Sequence, residues 1–254
     1  MKRILTALAA AGMMWATPAL ADAPAYGSVK DAPHYVAAKN WSGVYIAGGL
    51  GYGVLSADET SRSSIPGIPC GLCDKQTLGG RGWFGTLGLG IDRQLRENIV
   101  AGVFVDADLG RINGTLQDNF AAIFPFSGRI KHDRSFAVGA RGGYLVAPNV
   151  LTYMTAGYTR AHFSGVDMTN PILAGFIDSV PAFSKGGWFI GSGVEMALHS
   201  GWSWKTEYRL ADYGSANVTG TVTAGGAPIG VTSAISYKPI EQTVRTEIVF
   251  KFNH

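Results

Sequence analysis

The sequence predicts an all-β fold, an eight-stranded antiparallel up-and-down transmembrane β-barrel, from three observations. Apolar residues alternate with period two from Trp41 onward, which is typical of strands with two different faces. The connections between the alternating segments are long and short in turn. Bulky apolar residues occupy one face of each segment, whereas glycine and charged residues occupy the other.

The N-terminus predicts export. Lys2 and Arg3 precede an apolar run, and Ala19-Leu20-Ala21 has the small-x-small pattern of a signal peptidase site. The run is shorter than the roughly 20 residues of a membrane-spanning helix. We therefore predict a signal peptide at 1–21 with cleavage between Ala21 and Asp22, an extended segment at 22–40 and the barrel at 41–254.

Composition excludes two classes of protein. Removal of the signal peptide lowers the formal net charge from +3 to +1, and no cluster of Lys and Arg indicates a nucleic-acid surface. No second apolar run is long enough for a membrane-spanning helix, so a helical membrane protein is excluded.

Eight segments alternate as strands do, and they are longer than the roughly 5–6 residues of strands in soluble sandwiches. In the fifth segment the two faces are less distinct, and we expect Leu151, Tyr153 and Phe163 to face lipid. The predicted strands are 42–57, 78–92, 98–112, 134–146, 150–164, 185–198, 202–212 and 239–253.

The connections sort by length. Short ones are predicted at 93–97, 147–149 and 199–201. Outer-membrane barrels have short periplasmic turns and longer external loops. We therefore predict a bacterial outer-membrane location with both termini periplasmic and long external loops at 58–77, 113–133, 165–184 and 213–238.

The glycine-bearing faces carry five acids and five bases, which we assign to the barrel lumen. An eight-stranded barrel is just wide enough for side chains to fill, so balanced charges there predict an ionic plug rather than an open pore. Scattered surface charges are the alternative, but they do not explain why the charges share one parity. The assigned residues are Asp106, Asp108, Glu195, Glu207, Glu247, Arg141, Lys205, Arg209, Arg245 and Lys251.

Aromatic residues at or near strand ends predict girdles at the two membrane interfaces, although β-propensity explains any one of them equally well. These residues are Trp41, Tyr45, Trp83, Tyr144, Trp188, Trp202, Trp204 and Tyr208.

Cys70 and Cys73 lie in a Cys-Gly-Leu-Cys motif within a Pro/Gly/Ser-rich stretch. In an exported chain a local disulfide is the favoured interpretation. This spacing on a helix would instead suggest a redox motif, and a zinc site would need two further ligands, which the neighbouring sequence lacks.

Four glycine- and aromatic-rich segments, 41–53, 187–197, 202–214 and 244–253, together resemble the RopB-type outer-membrane proteins. These are opacity-protein-like barrels, also called outer-membrane immunogenic or porin-family proteins. The resemblance implies an eight-stranded barrel and no defined reaction. It also implies that the insertion machinery reads the last strand, here through Ile248, Phe250 and Phe252. This chain ends on His254, where the family usually has an aromatic residue.

The leading functional hypothesis is a structural and surface-interaction protein of the envelope, and a narrow porin for small solutes is the alternative. We expect no enzyme and no cofactor. The nucleophile–base candidates His162 with Ser164 and His199 with Ser200 are weak, as is haem capture by His132 or His162. The expected partners are outer-membrane lipid and lipopolysaccharide, the barrel-insertion machinery, and host or environmental surfaces met by the loops.

Overall fold

The computed structural model describes residues 40–64, 74–120 and 124–252. The cleavage site at Ala21 and Asp22, the segment 22–39, Cys70 with Cys73, and His254 lie outside the described residues, so the predictions made for them stay predictions. Within the described ranges, no helix has the length and apolar character needed to cross a bilayer.

The described residues form eleven β-strands. Five of them are 22 to 25 residues long, about twice the roughly 9–11 residues of a tilted membrane-spanning strand. The strands are β1 Gly43–Ser64, β2 Asp74–Arg96, β3 Ile99–Phe120, β4 Phe124–Ala147, β5 Val150–Phe163, β6 Val166–Thr169, β7 Phe176–Val180, β8 Phe183–Ala197, β9 Trp202–Asp212, β10 Ala216–Ala224 and β11 Ala227–Lys251.

Eight of these strands close a ring in the order β1-β2-β3-β4-β5-β8-β9-β11, and β11 pairs back to β1. Neighbouring strands are antiparallel throughout, and the closing register runs from Tyr45↔Lys251 to Ser64↔Thr232. Closure leaves no unpaired sheet edge for lipid to meet. The prediction of an eight-stranded antiparallel up-and-down barrel is therefore confirmed.

The strands β6, β7 and β10 extend the wall beyond β5, β8 and β9. Short interruptions at Ser164–Gly165, Pro181–Ala182 and Tyr213–Ser215 separate them from β5, β8 and β9, and they join the sheet through β4 on one side and β11 on the other. The long loops predicted at 58–77, 113–133, 165–184 and 213–238 are therefore wrong in large part, because most of their described residues are strand. In these regions the apolar side chains change from the outer face, as at Leu109, to the inner face, as at Ile112 and Leu116. Because of this change, the alternating pattern does not continue in register, and the strands cannot be followed through it in the sequence.

A band of outward-facing apolar side chains encircles the barrel, and we call it the lipid band. It covers 44–54 in β1, 99–109 in β3 and 136–146 in β4, which matches the roughly 9–11 residues a tilted strand needs to cross a bilayer. Its exposed members include Val44, Leu50, Val54, Trp83, Leu87, Ile91, Ile99, Val105, Leu109, Phe136, Val146, Trp188, Val194, Val244, Ile248 and Phe252.

The barrel has two different ends. At the short-turn end, tight connections join β2 to β3, β4 to β5 and β8 to β9, and Ser200 and Gly201 turn with φ of 52° and 82°. At the other end, which we call the extended end, the strands continue well past the lipid band. Ile248 and Phe252 of the predicted insertion signal are exposed near the short-turn end, where the ring of Phe250 lies 5.2 Å from that of Phe252.

The prediction for the fifth strand is wrong. Leu151, Tyr153 and Phe163 point inward, with exposed fractions of 1%, 4% and 0%, whereas Met154 and Tyr158 are exposed to lipid. The inward side chains are needed for interior packing: the Tyr153 ring, for example, lies 5.3 Å from a buried guanidinium group.

The prediction of an interfacial position is also wrong for two aromatic residues. Trp41 and Tyr45 are buried inside the short-turn end, with exposed fractions of 0% and 2%. Their rings lie beneath buried cations, an arrangement that desolvates the cation while the face of the ring attracts it. Of the six remaining aromatic residues, Tyr208 is half-buried. The other five are exposed, as predicted: Trp83, Tyr144, Trp188, Trp202 and Trp204.

Candidate functional site: the barrel interior

The structure places all ten of the ionic residues assigned from parity inside the ring. An eleventh, Asp92, lies among them and is 3% exposed. It shares the parity of Gly88 and Gly90, but it is the last residue of the predicted strand 78–92 and was not among the predicted lumen charges. At the level of the two clusters described below, the interior therefore holds six acids and five bases, and the buried Glu59, Asp178, Glu241 and His132 lie further towards the extended end.

Arg141 is the centre of a cluster at the short-turn end. Its Nε donates to Asp92 Oδ1 at 2.7 Å, its Nη2 donates to the other oxygen of the same carboxylate, and its Nη1 donates to Glu195 Oε2 at 2.9 Å. Lys251 Nζ donates to Asp92 Oδ2 at 2.7 Å and to the Trp41 carbonyl at 2.9 Å. Two acids and two bases thus neutralise one another.

A second cluster fills the middle of the barrel. Arg209 binds both oxygens of Asp106, at 3.1 and 2.7 Å, and its Nε donates to Glu207 at 3.0 Å. Arg245 binds both oxygens of Asp108, at 3.2 and 2.9 Å. Bidentate guanidinium–carboxylate pairs of this kind hold both partners in fixed positions.

The remaining pair of the second cluster links it to the opposite wall. Lys205 forms an ion pair with Glu247, and Thr86 Oγ1 donates to the same carboxylate at 3.1 Å. Aromatic rings complete the layer, since the Arg209 guanidinium lies 4.2 Å from the centre of the Phe189 ring. Charged groups and rings from facing strands meet across the lumen, which is how side chains fill a barrel of this size.

A third charged pair lies outside the lipid band, towards the extended end. His132 Nδ1 is 2.8 Å from Glu241 Oε2, and both side chains are buried. Burial lowers the pKa of His132, but the neighbouring Glu241 carboxylate outweighs it and holds that pKa above its ordinary value of 6.5. The cavity beside this pair, which Asp108 and Phe84 also line, measures about 10 Å³, enough for a single water molecule.

Beyond the ionic clusters, towards the extended end, most of the inward-facing side chains form an apolar core. The Phe163 ring stacks on Phe183 at 5.0 Å and meets the Tyr213 and Tyr237 rings edge-on at 6.1 Å. This part of the wall therefore has the polarity of a water-soluble protein, apolar inside and polar outside, whereas the lipid band has the inverse. The buried members include Leu55, Ile112, Leu116, Phe126, Ile130, Met168, Val180, Val218, Val222 and Ile235.

Glycine on the inner face allows the strands to approach closely. A Cβ added at Gly49 would lie 2.7 Å from the Glu247 backbone Cα, nearer than real Cβ atoms come to backbone. The glycine-rich face thus accommodates packing between β1 and β11 and does not leave open space along the lumen.

The structure gives the members of the first candidate catalytic pair different partners and leaves the second pair at an exposed turn. His162 Nδ1 lies 3.0 Å from Ser184 Oγ at the outer surface, while Ser164 Oγ donates to Asp133 at 3.3 Å. His132 faces the interior, so it cannot share a ligand with His162. His199 and Ser200 are exposed at the turn that joins β8 to β9. Among the described side chains, no group of three or more His, Cys, Asp or Glu is placed to hold a metal ion.

Comparisons with known proteins agree with this architecture. The family model described as "Outer membrane protein beta-barrel domain" matches residues 7–232. The 31 kDa outer-membrane immunogenic proteins of Brucella melitensis and Brucella suis are each 25% identical over 228 residues, covering 86% of this chain and 90% of the relative. The crystal structure of the outer membrane protein OprG from Pseudomonas aeruginosa superposes with a TM-score of 0.58 at 15% identity, covering 84% of this chain and 97% of OprG. The resemblance noted in the sequence is therefore confirmed.

Proposed function

Because the chain belongs to the outer-membrane β-barrel family, we propose that it is a closed structural scaffold of the bacterial outer membrane whose extended end meets the environment. The single observation that supports this role is the filled interior. Two buried ionic clusters and an apolar core succeed one another along the barrel axis, and the cavity between them has room for a single water molecule. A porin of any selectivity would need a continuous aqueous path.

The proposed orientation puts the extended end outside the cell and both termini in the periplasm. Outer-membrane barrels turn tightly on the periplasmic side and carry their longer elements outside. The described chain begins and ends at the short-turn end, near Val44 and Phe252. The wall formed by β6, β7, β10 and the far parts of β1 to β4 and β11 would then project from the cell surface.

A surface role agrees with what the relatives are called. The Brucella proteins carry the description outer-membrane immunogenic protein. In this chain the projecting wall presents polar side chains outward, such as Asn113, Thr115, Asn217 and Thr219. These faces, rather than long flexible loops, are the surfaces we propose for contacts with a host or the environment.

Planar-bilayer recording of the purified protein separates the scaffold from the narrow porin. We expect no resolved unitary conductance steps from protein whose unboiled and boiled forms migrate differently, which shows that the barrel is closed. An authentic porin in the same bilayer is the positive control. Resolved steps whose size changes in Arg141→Gln or Arg209→Gln protein would refute the closed scaffold.

The structural role is tested in cells. A deletion strain should become more sensitive to detergent, and the wild-type gene should restore resistance. Normal detergent sensitivity and normal surface properties in the deletion strain would contradict the proposal, whatever the conductance result.

A further inference from the structure

Exposed cations are concentrated on one side of the barrel, immediately beyond the lipid band at the extended end. They lie on β2 to β5, and Asp133 is the one acid among the described side chains of 79–83, 109–117, 127–136 and 158–163. On the other side, exposed Lys238 pairs with Asp58 in the sheet register and half-buried Asp212 adds an acid, so that side has no excess of cations. We call the cationic side the basic band, and its members are Arg81, Arg111, Arg129, Lys131, Arg134 and Arg160.

The sheet register brings these cations into one surface. Arg81 pairs with Asn113, which pairs with Lys131, so the three residues form a row across β2, β3 and β4. Neighbouring strands lie about 4.8 Å apart, which separates the Arg81 and Lys131 backbones by about 10 Å. Arg129 faces Thr115 in the next row towards the extended end. The spacing suits a ligand with more than one anionic group.

The cations of the basic band are not held in ion pairs. Among the described side chains, no carboxylate lies within ion-pair distance of any of the six cations, although every acid of the two interior clusters is within reach of a base. Two acids lie nearby: Asp133 accepts a hydrogen bond from Ser164, and Asp167 of β6, which the antiparallel pairing of Ser127 with Thr169 places across from Arg129, accepts one from Ser179. The cations are therefore available to an external anion.

A groove of about 780 Å³ runs along the outer wall beside the basic band. Gly79 leaves its floor without a side chain, and a Cβ at that position would meet nothing within 4 Å. Tyr52 and Val54 line its membrane side, while the opposite side is cationic and polar. The polar lining is formed by Arg81, Asn113, Thr115 and Arg129.

A second groove lies on the lipid-facing wall, on the side of the basic band that is nearer the short-turn end. It measures about 620 Å³, and its lining is almost entirely apolar, with Leu87, Val105 and Phe136 among its residues. Arg160 and Tyr158 stand at its edge nearest the extended end. A groove of this polarity accommodates hydrocarbon chains and carries a cation where their headgroup would lie.

We propose that the basic band and the two grooves bind the phosphorylated glycolipid of the outer leaflet, lipopolysaccharide, through its phosphate groups and sugar. The Arg and Lys side chains pair with the phosphates, the groove with the glycine floor receives the sugar, and the acyl chains follow the apolar groove. Cations at a membrane surface attract anionic headgroups, and guanidinium groups suit phosphate geometry. This inference rests on the proposed orientation, because lipopolysaccharide occupies the outer leaflet.

The opposite wall provides an internal comparison. A groove of about 550 Å³ at the extended end, between β1, β10 and β11, is lined by Thr60, Asn217, Thr219 and Ser236 together with apolar residues. No ionisable side chain lines it. Groove shape alone therefore does not distinguish the two walls, whereas charge does.

The test is titration of bisphosphorylated lipid A into the full-length protein in zwitterionic micelles, with bound glycolipid counted by native mass spectrometry. The test variant is Arg81→Gln/Arg129→Gln/Lys131→Gln. Its matched control, Lys238→Gln, removes an exposed cation that pairs with Asp58 on the balanced side. At about fivefold in affinity for each surface cation, the triple variant should bind roughly a hundredfold more weakly, and the control should bind like the wild type. Boiled and unboiled samples establish that each variant is folded.

The proposal is overturned if the triple variant binds lipid A as tightly as the wild type, or if the control variant loses as much affinity as the triple variant. It is also overturned if a dephosphorylated glycolipid binds as tightly as lipid A. Displacement of lipid A by inorganic phosphate at similar concentration would indicate a general anion site and would also refute it. Failure of the scaffold proposal is distinguishable, because binding in micelles does not depend on whether the barrel conducts. A wrong orientation would show as resistance of the extended end to protease on intact cells while binding persisted.

Discussion

Arg141→Met is expected to destabilise the barrel severely. The guanidinium group binds Asp92 through two nitrogens and Glu195 through the third, and only 4% of the residue is exposed. After the substitution Asp92 keeps Lys251 at 2.7 Å, whereas Glu195 retains no hydrogen-bond partner among the described side chains. Removing one partner of a buried ion pair costs about 3–5 kcal/mol, because the other charge stays buried and unpaired. Urea unfolding of the liposome-folded protein, followed by tryptophan fluorescence, measures this loss.

Control variants distinguish the effect of leaving the Glu195 carboxylate buried without a partner from a general loss of packing. Arg141→Met/Glu195→Gln should recover most of the stability, because it removes the uncompensated carboxylate. Exposed Arg160→Gln should change stability by less than about 0.5 kcal/mol. Glu207→Ala should cost less than Arg141→Met, because Arg209 still binds Asp106. The reasoning is refuted if the single variant unfolds at the wild-type urea concentration, or if the double variant is no more stable than the single one.

Two further predictions concern pH and barrel closure. Since the pKa of His132 is raised above 6.5 in the folded barrel, its pairing with Glu241 contributes stability that is complete below about pH 6.5 and is lost as pH rises through the folded pKa. The urea midpoint should therefore fall across that alkaline window, and His132→Gln should flatten the fall; an equal slope in both proteins would contradict this. Gly49→Ala should impair closure between β1 and β11, because the added Cβ meets backbone, whereas Gly142→Ala, with open space around it, should not. Heat-modifiable migration compares the two variants, and equal folded yields would exclude the steric argument.

Much of the fold could be predicted from short-range pattern. Within the lipid band each strand needs one face for lipid and the other for the lumen, so Trp83, Leu87 and Ile91 alternate with small or charged residues. Parity also identified the lumen charges, because a side chain's face follows from its position along the strand. Two tight turns, 148–149 and 198–201, lie where they were expected, whereas the turn predicted at 93–97 is shortened to 97–98 because β2 continues to Arg96.

Outside the lipid band, the direction in which a side chain points could not be predicted from the same pattern. There the wall meets water on its outer side, so the apolar face turns inward, and Leu116 and Ile235 are buried at positions that were predicted to be loop. The same local pattern, bulky residues alternating with small ones, therefore has opposite meanings in lipid and in water. The level of a residue relative to the bilayer is a property of the assembled barrel.

The sequence by itself determined the class of protein, the ring of eight strands and the parity of the charged residues, because each of these depends on neighbours along the chain. Only the tertiary structure decided which charges meet, since Asp92 and Arg141 are brought together from strands that do not adjoin. It also turned Trp41 and Tyr153 inward, where cations require cover from solvent. Contacts across a closed lumen are set by strand register and tilt, and these arise when the last strand pairs with the first.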